Sequence, residues 1–270
     1  MGDQILWYYP QSIDDAVEIH STKKSIYHAG GTFILMGKKF PEIEAIVDLW
    51  HLPLDYFDTV DDSFEIGAMN TYAAAVEKIS AVNPEHILVK SLSAAASTPL
   101  RNRITLGGSF RAFPAWTDLL GPLIALDATV KLASPEGKTQ VPATQYIENI
   151  ASFRDHLVVG FSFPAGGWNS AYVRRTRTRV DFAAFNITVL VRKSADGTVD
   201  DIRIVVVGNS TKFARLTQLE DKIRGTKISE VNLPQEIKSL DIKFGNKSLG
   251  SGEYIRDLFN VELERILLTL

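Results

Sequence analysis

Cysteine is absent from the 270 residues. That absence excludes disulfides, thiolate zinc sites, cysteine-held iron–sulfur clusters and cysteine nucleophiles within the chain. Histidine is sparse: the five are scattered, and no pair has His-Glu-x-x-His spacing. A metal site built from this chain alone is therefore not expected. A basic excess is lacking too. The net charge is −3, whereas nucleic-acid modules carry a clear positive bias, so no nucleic-acid partner is expected. No apolar run approaches the roughly 20 residues that cross a bilayer, so no membrane span is expected. Residues 1–10 lack the basic start and apolar stretch of a signal peptide, which makes the cytoplasm the expected compartment. Neither a GxGxxG fingerprint nor a Walker A sequence occurs. Gly250-Ser251-Gly252 follows no βαβ-type strand, so a Rossmann site and a P-loop are both disfavoured.

What is present fits a globular protein. The chain is 45% hydrophobic and 10% aromatic, with enough length for one large domain or two modest ones. Residues 5–9 read as a strand. Ser12 and Asp15 then form a capping box for a helix to about residue 20. Residues 25–28 read as a second strand, a helical stretch follows Thr32, and residues 45–50 read as a third strand. Residues 56–68 form a hairpin turning at Asp61-Asp62. Helices are expected after Asn70 or Thr71 and over 84–96. A glycine-rich passage covers 101–109, a helix 118–126, and a hairpin 129–141. Residues 157–163 alternate as a strand. Two long strands, 182–191 and 199–207, flank the turn Ser194-Ala195-Asp196-Gly197. The tail, 252–270, has helical apolar spacing. A boundary near residue 155 divides this into domains 1–155 and 156–270, the first with subdomains of about 1–58 and 59–155.

Two Gly-Gly pairs sit in informative places. Gly30-Gly31 follows a strand and precedes Thr32. Gly107-Gly108 follows Thr105-Leu106 and precedes Ser109. A diphosphate needs convergent backbone N–H donors and close main-chain approach, which glycine permits. The plainer reading is that each pair makes a tight turn, and chain chemistry alone leaves the two readings even.

Taken in order, these motifs resemble a known family. They are Tyr9-Pro10 with Ser12-Ile13-Asp14-Asp15-Ala16, then Ala29-Gly30-Gly31-Thr32, Ile66-Gly67-Ala68 and Arg101-Asn102. Thr105-Leu106-Gly107-Gly108-Ser109 follows, with Asp118 ten residues after Gly108, then Ala125-Leu126-Asp127-Ala128. Glu253-Tyr254-x-Arg256-x-Leu258 lies near the end. The chain resembles the FAD-binding, medium subunit of the xanthine dehydrogenase and carbon monoxide dehydrogenase family of molybdenum hydroxylases. The resemblance implies an α+β fold. A two-subdomain, PCMH-type FAD-binding domain would precede a C-terminal domain of three-stranded antiparallel sheet plus helices. It implies FAD as the cofactor. Ala29, Gly30, Gly31, Thr32, Phe33, Ile34 and Leu35, with Thr105, Gly107, Gly108 and Ser109, would hold the diphosphate through backbone N–H groups. Asp118 would accept from the ribityl or adenosine part. The isoalloxazine would lie near Val158, Val159 and Tyr172. The implied partners are a molybdopterin-binding large subunit and a 2Fe-2S small subunit, with NAD or another final electron acceptor. Phe33 stands where the family often has Asp, Ser109 where it usually has Asn, and Val173 where some members carry Lys. A stand-alone flavin oxidoreductase and a flavin-free structural subunit remain as alternatives.

Other features have bland readings beside sharper ones. Arg174, Arg175, Arg177 and Arg179 form a solvated strand edge or a docking surface. Trp50, Trp116 and Trp168 fill cores or interfaces. His28 is read as a packed, hydrogen-bonded histidine rather than a phosphate contact. The pairs Asp61-Asp62 and Asp200-Asp201 are turn residues, not paired catalytic carboxylates. No catalytic acid or base stands out, and an electron-relaying subunit needs none.

Overall fold

A computed structural model describes residues 5–34 and 42–270. In chain order, it opens with β1 (Leu6–Tyr8), α1 (Ile13–Thr22), β2 (Ser25–His28), β3 (Ala45–Asp48), β4 (Phe57–Val60) and β5 (Ser63–Gly67). Helices α2 (Tyr72–Val82), α3 (Ile87–Ala94), α4 (Thr98–Arg101), α5 (Leu106–Ala112) and α6 (Leu120–Ala125) follow. Next come β6 (Thr129–Ser134), β7 (Gly137–Pro142), α7 (Ala143–Glu148), β8 (Leu157–Pro164), β9 (Asn169–Arg175) and β10 (Phe185–Lys193). The chain closes with β11 (Val199–Val207), β12 (Phe213–Arg215), α8 (Thr217–Ile223), α9 (Leu233–Ser239) and α10 (Gly252–Leu268). The described residues through Lys78, with Thr98–Ala112 and Asp127–Ala165, form unit one. Ile79–Ser97, Phe113–Leu126 and Gly166–Leu270 form unit two.

Unit one opens as expected from its capping chemistry. Ser12 Oγ accepts the Asp15 N–H at 3.0 Å, and Asp15 Oδ2 accepts the Gln11 N–H at 3.0 Å. Two N–H groups at the start of α1 are thereby satisfied, which is why the helix begins there. Strands β1, β3 and β2 lie parallel in that order. The helix expected after Thr32 falls largely on residues 35–41, outside the described residues. A second, antiparallel sheet has the order β4-β5-β8-β6-β7. Its first hairpin turns at Asp61, whose φ of 50° is left-handed, a conformation that Asp tolerates better than most residues. Phe64, Ile66, Val130, Leu132 and Phe161 are wholly buried in this unit. The strand that begins two residues after the expected boundary near 155 is β8. It pairs with both β5 and β6, because its inward-facing Phe161 and Phe163 are buried with that sheet.

The passage 101–109 is not the plain glycine-rich loop expected from its composition. It holds the last residue of α4, a turn through Asn102 and Arg103, and the first turn of α5. Thr105 closes that turn: its carbonyl accepts the Ser109 N–H at 2.9 Å, and its Oγ1 accepts the Gly108 N–H at 3.2 Å. Local capping outweighs the backbone freedom of the two glycines.

Unit two carries the sheet β12-β11-β10-β9, all antiparallel. The expected three strands are there, with a three-residue edge strand, β12, added. Helix α10 buries Ile255, Phe259, Leu263, Ile266 and Leu267 in one cluster with Phe185, Ile187, Val189 and Val191. Glu262 is also buried in this helix, and two arginines compensate its charge: Arg175 at 2.5 Å and Arg265 at 3.0 Å. Trp168 lies beneath two guanidinium groups, Arg192 at 4.2 Å and Arg203 at 4.6 Å. Among the described residues, no helix is long and apolar enough to cross a membrane.

Candidate functional site

Strand β2 delivers the chain into Ala29-Gly30-Gly31-Thr32. The two glycines serve different ends. Gly31 has φ of +72°, where a side chain is strained. Gly30 is small because of its neighbour: a Cβ there would overlap the carbonyl oxygen of Arg103. Arg103 also donates to the Gly30 carbonyl from Nε at 3.3 Å and from Nη2 at 3.2 Å. The first glycine loop thus rests against the chain that enters the second one. Among the described residues, the backbone N–H groups of Gly30, Gly31, Thr32 and Phe33 have no hydrogen-bond acceptor. Phe33 is exposed, and Ala29 packs toward the unit's core. Ile34 is half-buried, and Leu35 lies outside the described residues. His28 is hydrogen-bonded, as expected, with Nδ1 at 3.0 Å from Asp48 Oδ2. Its Nε2 would stand 3.0 Å from a Cβ at Gly31.

The second loop is held by α2. Tyr72 N–H donates to the Ile104 carbonyl at 2.8 Å, and Leu106 N–H donates to the Asn70 carbonyl at 2.9 Å. Gly107 N–H donates to the Ala68 carbonyl at 2.8 Å, and a Cβ at Gly107 would come within 2.7 Å of the Ala68 Cβ. Gly108 N–H is taken by Thr105. Ser109 Oγ shares a 2.5 Å hydrogen bond with Tyr72 OH. The N–H groups of Gly107 and Gly108 are therefore committed inside unit one, and the first loop is the one with donors in reserve. Asn70 anchors the segment. Its Nδ2 donates to the Tyr56 and Gly67 carbonyls at 2.9 and 3.1 Å, and its Oδ1 accepts from Lys78 at 2.7 Å. Replacing Asn70 by Ala is expected to lower unfolding free energy by about 2 kcal/mol, because buried acceptors lose their donors. Urea unfolding reads this directly, and an unchanged midpoint would show that the anchor is dispensable.

In unit two, Asp118 is buried and Tyr172 lies on β9. Tyr172 OH donates to Asp118 Oδ1 at 2.6 Å. Arg174 Nε donates to the same oxygen at 2.9 Å, and its Nη2 reaches the Asp181 carbonyl at 2.7 Å. Burial pushes the Asp118 carboxyl up from its ordinary range, while the Arg174 charge and the hydrogen bonds from Tyr172 and Arg174 pull it back. Arg177 pairs with Asp181 at 3.3 Å. The arginine cluster is therefore largely spent on unit two's own carboxylates. Val158 and Val159 lie on β8 in unit one, both nearly buried.

The sequence motifs pointed to Arg101 and Asn102 but not to Arg103, and they placed Arg174 in a basic cluster rather than beside Asp118. Neither had a local signal: Arg103 meets Gly30 across 73 residues, and Arg174 meets Asp118 across 56.

The first loop fits a dinucleotide diphosphate on three counts. Its N–H groups are open, a side chain is excluded at Gly30, and a cation is tied to its carbonyl. Comparison with known proteins points to the same cofactor without naming its residues. Residues 3–166 match the family described as FAD binding domain in molybdopterin dehydrogenase. Residues 170–270 match the CO dehydrogenase flavoprotein C-terminal domain. The nicotine 6-hydroxylase medium subunit of Paenarthrobacter nicotinovorans is 27% identical over 96% of this chain and 94% of its own length. Quinoline 2-oxidoreductase of Pseudomonas putida 86 superposes with a TM-score of 0.89 at 20% identity, covering 98% of this chain and 96% of that one. Carbon monoxide dehydrogenase of Hydrogenophaga pseudoflava gives 0.88 at 23%, again covering 98% and 96%. These two structures share the fold. With both domain families matched in order, the chain belongs to the FAD-binding, medium-subunit family of the molybdenum hydroxylases, and so to the oxidoreductases.

Proposed function

We propose that this chain relays electrons within a molybdenum hydroxylase complex. Its partners are then a large molybdopterin-binding subunit, where substrate is oxidised, and a small subunit carrying 2Fe-2S clusters. NAD or another acceptor takes the electrons last, and the cytoplasm is the compartment. The observation that carries this reading is the first loop, with its open N–H groups set against Arg103. The absence of cysteine supports the division of labour, since any cluster must sit on another chain.

Bound FAD would supply the hydride and electron chemistry. The chain's own residues bind and orient. Gly30, Gly31, Thr32 and Phe33 would donate N–H groups to the diphosphate. Thr105 and Ser109 would border it. Val158, on β8 of the same unit, would border the isoalloxazine. None of these roles asks a side chain to move a proton.

The test is the visible spectrum of the purified chain before and after addition of FAD, with any released flavin identified. One FAD per chain, bleached by NADH but by no hydroxylase substrate, is the expected result. Bleaching by a small organic substrate with the chain alone would instead establish a self-sufficient flavin oxidoreductase. A colourless protein that takes up no FAD would leave a structural subunit.

A further inference from the structure

We propose that Arg103 is a binding residue for the dinucleotide, supplying the positive charge that faces the diphosphate; this rests on the FAD reading above. Its fork is already half committed. Nε and Nη2 donate to one oxygen, the Gly30 carbonyl, at 3.3 and 3.2 Å. A guanidinium carries five N–H donors in a fixed plane, so that tether fixes its orientation and leaves Nη1 and the outer Nη2 hydrogen over. Among the described residues, no carboxylate lies within ion-pair distance of Arg103. An arginine held by a carbonyl alone keeps its whole charge for another anion.

The surroundings specify which anion. The carbonyl of Arg103 is the atom that excludes a side chain at Gly30. The guanidinium and the open N–H groups of Gly30 to Phe33 therefore belong to one small volume of unit one. A diphosphate brings negative charge there, and guanidinium with phosphate is the strong, directional pairing. Within residues 29–34 and 101–109, Arg101 and Arg103 are the only cations. Arg101 turns back to Thr98 Oγ1 at 3.0 Å, and Arg103 is the one tied to the loop. The bland alternative is a strut that merely shapes the first loop. A strut and a counter-charge differ in what they do to phosphate-free flavin and in their response to salt.

The experiment uses the full chain stripped of flavin and titrated with FAD and with riboflavin, which carries no phosphate, at several KCl concentrations. Arg103→Gln is expected to weaken FAD binding about 10- to 50-fold, the range for one charge-assisted contact. Riboflavin affinity should stay unchanged, and the rise of Kd with KCl should become shallower. Arg103→Lys keeps the charge without the fork and should fall between the two. Circular dichroism and the urea midpoint certify that each variant is folded. Equal weakening of FAD and riboflavin, with salt dependence intact, would reduce Arg103 to a strut and overturn the proposal, as would undiminished FAD binding in Arg103→Gln. Wild-type protein that binds no FAD would overturn the cofactor reading itself, and that result is visible before any variant is made.

Discussion

Gly30→Ala is expected to leave the purified chain with less than about a tenth of its flavin, a loss of the tenfold order that 1.4 kcal/mol already gives. The reason is steric rather than conformational. The alanine methyl would occupy the space of the Arg103 carbonyl oxygen, so one of the two loops must retreat. Retreat breaks both hydrogen bonds from the Arg103 fork and displaces the open N–H groups of residues 30–33. Overpacking of this kind costs roughly 2–4 kcal/mol in stability, since backbone cannot swing aside like the tip of a side chain. Gly31→Ala is the informative companion. Its φ of +72° makes alanine strained, at a cost of about 1 kcal/mol, yet its new Cβ would meet the His28 ring at 3.0 Å, which can give slightly. Flavin-to-protein absorbance ratios and urea midpoints, measured together, should rank wild type first, Gly31→Ala second and Gly30→Ala last. Full flavin content in Gly30→Ala would mean that the junction of the loops is not where the cofactor sits.

Much of the fold was legible because its signals are local. Ser12 with Asp15, the Asp61-Asp62 turn, the Ser194 to Gly197 turn and the apolar spacing of the tail each act within one or two turns of chain. The structure places α1, the β4-β5 hairpin, the β10-β11 hairpin and α10 accordingly. Short elements such as α8, α9 and β12 carried no periodicity long enough to stand out. Helix α5 was hidden for a different reason. Two glycines argue against a helix, and the cap that overrides them uses Thr105 together with the Ala68 carbonyl, 39 positions before Gly107. The candidate site divides the same way. The glycine loops were visible as motifs, whereas the contact that makes the first of them a cradle is not. Arg103 reaches Gly30 only once β2 and α4 are in place, and no spacing rule encodes that meeting. The arginine run shows the converse. As sequence it looked like a solvated edge or a docking face; β9 is an edge strand and Arg177 and Arg179 are exposed, while Arg174, Arg175 and Arg177 also answer Asp118, Glu262 and Asp181, which lie up to 87 positions away.

The pairing of Asp118 with Arg174 gives the second large effect. Both side chains are buried, at 7% and 8% exposure. Asp118→Ala is expected to destabilise the protein by about 3–5 kcal/mol, because it strands a buried guanidinium with only carbonyl partners. Replacing both members, Asp118→Leu with Arg174→Met, removes both charges at once and should recover most of that loss. This contrast separates two roles that a single substitution confounds. If Asp118 serves only to neutralise Arg174, the double variant regains both stability and FAD. If Asp118 also accepts a hydrogen bond from the flavin's ribityl chain, the double variant regains stability but binds FAD about tenfold more weakly, the worth of one hydrogen bond to a charged acceptor. The first outcome is the expected one, because Tyr172 and Arg174, both within unit two, already engage the carboxylate at Oδ1. Urea unfolding and FAD titration of the three proteins, on the same preparations, decide between the two roles.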